Sequence, residues 1–112
     1  MASARRIEKI SILLREVIAA ILERDVSFPP GILVTVTRVE ATPDLYYATA
    51  YVTVLGSGEA EGEALGQLKR ETAAVQRALN RKLRMRPVPR ISFAIDQAEK
   101  RRERVEKLLS GE

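Results

Sequence analysis

The sequence predicts an α+β domain. Its elements run α-β-β-α-α-β with a closing C-terminal helix, and its three strands form one sheet covered by helices on one face. Three observations carry this reading. Apolar residues recur at helical spacing over residues 5–24 and again over 59–86. Between those stretches, residues 32–40 and 45–55 alternate apolar and polar around the turn signal Thr42-Pro43-Asp44. A third alternation, at 90–96, follows Pro87 and Pro89. The chain has 112 residues, enough for one domain with one core.

The first helix carries Ile7, Ile10, Leu14, Val17, Ile18, Ile21 and Leu22 on one side, with Ser3 placed to cap it. Pro29-Pro30-Gly31 forbids its continuation. In the first strand, Ile32, Val34 and Val36 share one face, and Leu33, Thr35, Thr37 and Val39 the other. In the second, Ala48, Ala50, Val52 and Val54 oppose Tyr47, Thr49, Tyr51 and Thr53. Cross-strand packing against Thr35 and Thr37 is the simpler role for Tyr47 and Tyr51, and stacking on bases the alternative.

Glu59, Glu61 and Glu63 suit the start of a helix, where the macrodipole favours negative charge. The apolar positions after them fall into two sets, Ala60 to Leu68 and Val75 to Leu83. These read as two helices with a kink at Glu71-Thr72-Ala73, the second ending before Pro87. Ile91, Phe93 and Ile95 mark the core face of the last strand, which is expected to run parallel to the second. The terminal helix, 97–109, is strongly charged, with Val105, Leu108 and Leu109 as its expected anchors.

The 19 basic and 15 acidic side chains give a net charge of +4, and its distribution matters more than its size. Residues 32–65 hold one basic and five acidic side chains, whereas residues 66–90 hold eight and one. Such a block favours a polyanionic partner. Arg77, Arg81 and Arg84, at i, i+4 and i+7, read as one stripe flanked by Lys82 and Arg86; Lys69, Arg70 and Arg90 extend it. Arginine supplies 14 of the 19 cations, and its planar fork matches phosphate oxygens in pairs. The alternative is a protein–protein interaction module whose basic block is only a solvated surface.

Histidine and cysteine are absent, which excludes a disulfide, a thiol nucleophile, a His-based triad and a His/Cys metal site. Glu59, Glu61 and Glu63 do not converge on one helix face, so they build no metal site either. No apolar run approaches the ~18 residues of a membrane span. The residues point to binding without catalysis, cofactor, metal, small-molecule substrate or membrane partner. A monomer in a reducing cytoplasm is the expected state.

The element order and the basic second half of the helix pair resemble a type II KH domain, with residues 1–96 as the RNA-binding domain and 97–112 as its charged tail. The GXXG loop by which KH domains clamp a single strand is missing. The ordered set Ile21-Leu22 with Val26, Val34-Thr35-Val36-Thr37-Arg38-Val39-Glu40, Asp44-Leu45 with Ala48, Ala50, Tyr51 and Val52, Leu83-Arg84-Met85-Arg86-Pro87-Val88-Pro89, Ile91 with Phe93, Asp96, and Leu108-Leu109 resembles the ribosome-binding factor A family. That resemblance covers about Arg5 to Leu109. The family's D-P-R is replaced here by Phe28-Pro29-Pro30, and its A-x-G kink by Glu71-Thr72-Ala73. The resemblance implies a non-enzymatic factor that binds the immature small ribosomal subunit. It also implies support of small-subunit rRNA maturation, including the 5′ end, and a part in cold adaptation.

Overall fold

The computed structural model describes residues 2–111. Helix α1 (Ala4–Asp25) leads into strand β1 (Leu33–Ala41), β2 (Tyr47–Leu55), helix α2 (Ala60–Lys82), β3 (Arg90–Ile95) and helix α3 (Gln97–Leu109). The sheet order is β1-β2-β3, with β1 antiparallel and β3 parallel to β2. Helices α1 and α2 cover one face. Leu14, Ile18 and Ile21 from α1, Ala50 and Val52 from β2, Leu68 and Leu79 from α2, and Ile91 from β3 meet in the core. The expected α+β architecture and the parallel third strand are present.

Ser3 caps α1 as expected, its Oγ accepting from the Arg6 amide at 3.2 Å. Gly56 makes the exit from β2 possible: a Cβ there would lie 2.7 Å from that of Ala60, so a side chain would push α2 away.

Four expectations are corrected. Helix α2 is one uninterrupted helix, and Glu71, Thr72 and Ala73 lie inside it. Leu68 and Val75 are seven residues apart, close to two full turns, so the two apolar sets form a single stripe. Polar Glu71 and Thr72 occupy the intervening turn, where the Thr72 hydroxyl donates back to the Leu68 carbonyl at 2.7 Å. The glycine-free junction is thus ordinary helix.

The second correction is the end of α2, which stops at Lys82 rather than near 86. Leu83 turns extended and is buried, which takes Arg84 and Arg86 off the helix and into the loop before β3. The third concerns β1. Its register with β2 shifts between Val36 and Arg38, so Thr37 is an extra residue in a β-bulge. Strict alternation puts Val39 opposite Val36, but the bulge returns it to the core, and both are buried. The fourth is α3. None of its residues is buried, and Val105, Leu108 and Leu109 are exposed rather than anchored.

Candidate nucleic-acid interface

All eight cationic candidates are exposed. Lys69, Arg70, Arg77, Arg81 and Lys82 stand on α2, Arg84 and Arg86 in the loop, and Arg90 at the start of β3. At about 100° per residue, Arg70, Arg77 and Arg81 fall within about 40° of one another on the side of α2 opposite Leu68 and Leu79. The outward stripe is therefore Arg70–Arg77–Arg81, and not the expected Arg77–Arg81–Arg84. Lys69 is turned toward β3, on the side of Gln76 and Asn80.

None of the eight forms an ion pair among the described residues. Arg70 donates to Gln67 Oε1 at 2.8 Å, which steadies it without neutralising it. A cleft of about 340 Å³ between the end of α1 and α2 is lined by Arg77 and Arg81 together with Asp25 and Glu71. Asp25 is held below the usual carboxylate range chiefly by its hydrogen bond from Arg24, with Lys82 and Arg81 adding to the effect. These two acids mark the α1-side border of the cationic surface.

Arg86 differs from the rest. Its guanidinium donates to the carbonyls of Leu83 at 2.8 Å, Met85 at 2.7 Å and Asn80 at 3.3 Å. The bond to Asn80 satisfies a carbonyl that the last turn of α2 leaves unpaired, those to Leu83 and Met85 hold the following loop, and together they put a cation at the negative pole of the helix. Arg86 thus shapes the loop besides adding charge. A second depression, of about 300 Å³, lies on the other flank of α2 between Gln76, Asn80, Arg86, Val88 and Arg90.

Gln76 is a residue that sequence reasoning missed. Its amide donates to the Pro89 carbonyl at 3.0 Å and accepts from the Ile91 amide at 2.9 Å. It thereby completes the outer edge of β3 as a neighbouring strand would, and fixes Arg90 relative to α2. A glutamine on a helix flank carries no sequence signal for this role.

The other missed group is a polar cluster on the open face of the sheet. Asp96 is only 3% exposed and caps α3 by accepting from the Glu99 amide at 3.0 Å. It also accepts from the Thr37 hydroxyl at 2.6 Å and from Arg38 Nε at 3.3 Å. Arg38 pairs in addition with Glu40 and lies over the Tyr51 ring, 3.9 Å from its centroid. The cluster ties β1, β2 and the start of α3 together. On α3, Arg102 bridges Glu99 and Glu106, and Lys100 reaches Glu61 of α2 at 3.0 Å.

The fold agrees with relationships that span nearly the whole chain. Residues 6–109 match the family model described as ribosome-binding factor A. The chain belongs to the ribosome-binding factor A family. Family members from Pelodictyon phaeoclathratiforme and Chlorobium phaeovibrioides are 35% and 37% identical to it, each alignment covering 95% of this chain and 90% of the relative. The crystal structure of ribosome-binding factor A from Thermus thermophilus superimposes with a TM-score of 0.68 at 27% identity, over 82% of this chain and 97% of that one. A Thermus thermophilus homology model fitted into a cryo-EM map of a 30S complex with the factor aligns with a TM-score of 0.65 at 29% identity, over 78% and 91% of the two chains. The KH-like reading of the order α1-β1-β2-α2-β3 fits the family. Among the described residues, no helix is long and apolar enough to cross a membrane.

Proposed function

We propose that this chain binds the immature small ribosomal subunit, supports maturation of its rRNA, including the 5′ end, and assembly of the subunit, and takes part in cold adaptation. It does so by binding alone. Its cationic surface, Arg70, Arg77 and Arg81 with Lys69, Lys82, Arg84, Arg86 and Arg90, contacts rRNA phosphates. One observation carries the reading: α2 runs unbroken and presents its arginine stripe outward with no ion-pair partner among the described residues. Mutual repulsion along such a stripe is relieved by a row of phosphates, and guanidinium forks bind phosphate oxygens in pairs.

Family membership and the Thermus thermophilus complex support the choice of the small subunit as the partner. The site and the monomeric, cytoplasmic state belong to the same proposal. Binding of the purified chain to small subunits, measured across salt concentrations, tests it. If about five phosphates are neutralised, log K falls against log salt with a slope of roughly −4. A binding constant indifferent to salt and to ribonuclease treatment contradicts the reading and favours a protein-binding surface.

A further inference from the structure

Tyr47 begins β2 on the face of the sheet that the helices leave open, and it is 58% exposed. Tyr51, on the same face, has one side of its ring covered by Arg38. Among the described residues no cation lies over Tyr47. Thr35 and Thr37, its expected packing partners, stand farther along β1, Thr35 opposite Thr53 and Thr37 in the bulge between the pairs Val36–Val52 and Arg38–Tyr51. The neighbour nearer to Tyr47 is Thr42, which engages its backbone: Tyr47 N donates to Thr42 Oγ1 at 3.1 Å.

The parallel register sets Arg90 directly beside Tyr47. Arg90 precedes buried Ile91, so it shares the open face, and it has no ion pair among the described residues. It also borders the depression on the flank of α2 shared with Arg86 and Gln76, which sets it beside the loop cation Arg86. The acids nearby are engaged locally. Asp44 accepts from Thr42 Oγ1 and the Tyr46 amide, and Glu40 pairs with Arg38.

An exposed aromatic ring one strand spacing from an unpaired guanidinium matches one unpaired nucleotide. The ring takes the base by stacking, and the guanidinium takes a phosphate. A duplex keeps its bases stacked inside and offers the ring nothing. We propose that Tyr47 and Arg90 form a subsite for a single unpaired nucleotide at the margin of the interface. The protein then prefers a single-stranded RNA segment to a duplex of the same sequence. This rests on the reading of the α2 surface as an RNA-binding surface and adds to it the class of RNA held.

The chain has three tyrosines and no tryptophan, so its intrinsic emission reports on these rings. The wild-type chain is titrated with a short single-stranded RNA and with the duplex of the same sequence. The single strand is expected to quench tyrosine emission and the duplex to leave it unchanged. Tyr47→Leu is expected to abolish most of that quenching and to weaken single-strand binding about tenfold, with duplex binding unchanged; Tyr47→Phe retains the affinity. Arg90→Gln is expected to reduce the salt slope on the single strand by about 0.7. Equal binding of both RNAs by Tyr47→Leu and wild type, or a parallel loss on both, overturns the subsite. Arg70→Glu with Arg77→Glu separates the two readings. If that variant loses RNA while Tyr47→Leu does not, the α2 interface stands and the subsite falls. If the wild-type chain shows no salt-dependent RNA binding, both fall.

Discussion

The Thr37 hydroxyl donates to the Asp96 carboxylate at 2.6 Å, across the full width of the middle strand. The β-bulge in β1 makes that reach possible, because the extra residue sends its side chain over the backbone of β2, where it also meets the Tyr51 carbonyl at 3.3 Å. Asp96 is held below the usual carboxylate range, first by Thr37, then by the Glu99 amide and Arg38, against the opposing effect of burial. A carboxylate more acidic when folded stabilises the fold above its unfolded pKa of about 3.9, and the contribution is lost as pH falls through the folded value. Stability is therefore expected to fall on acidification below about pH 4. Thr37→Val is expected to make that fall shallower while lowering stability at neutral pH. Urea unfolding at a series of pH values measures both, and an unchanged acid slope contradicts the assignment.

Gln76→Ala leaves the Ile91 amide and the Pro89 carbonyl without their partners. The expected cost is about 1–3 kcal/mol. Hydrogen exchange localises it: the Ile91 amide is expected to lose protection while the β1–β2 amides keep theirs. Gln76→Glu, which keeps the acceptor and loses the donor, is expected to fall between the two.

Arg86 and Arg84 are close in the loop and differ in role. Arg86→Ala removes the donor to three carbonyls and is expected to lower stability by about 1 kcal/mol. Arg84→Ala, with no such bonds, is expected to stay within about 0.5 kcal/mol of wild type. Thermal melts of the two variants check this, and equal losses contradict the capping role.

Helix α3 buries nothing, and Lys100 gives it an exposed ion pair to α2. Exposed pairs contribute about 0–1 kcal/mol. A chain ending after Lys100 keeps the Asp96 cap and the Lys100–Glu61 pair, loses only the exposed Arg102 pairs, and is expected to unfold within about 1 kcal/mol of the full chain. Denaturant unfolding tests it; a larger loss shows that α3 is held by more than these contacts.

Most of the fold was legible because its elements are strongly periodic. The stripe from Ile10 to Leu22 and the alternation around Ala48, Ala50 and Val52 each admit one reading. The misreadings have local causes. Between Leu68 and Val75 the core stripe passes through Glu71 and Thr72, and a polar turn in a continuous helix looks like a break. Pro87 marks where a helix cannot pass, but burial of Leu83 ends α2 earlier. The bulge at Thr37 is invisible to strict alternation, which therefore misplaces Val39. The cationic block was legible as charge counts. Its geometry was not, since the stripe follows from where α2 runs unbroken and where it stops. Gln76 acts on backbone groups 13 and 15 residues away, and Asp96, besides its local cap on Glu99, meets the side chains of Thr37 and Arg38 across the sheet; no residue spacing encodes those distant contacts.

The central claim is that the outward arginines of α2 hold the small subunit. Co-sedimentation of the Arg70→Glu, Arg77→Glu, Arg81→Glu triple variant with purified small subunits tests it most directly, with circular dichroism confirming the fold. These side chains are exposed, so the variant is expected to fold and to remain in the supernatant while the wild type pellets. Co-sedimentation at the wild-type level would contradict the account.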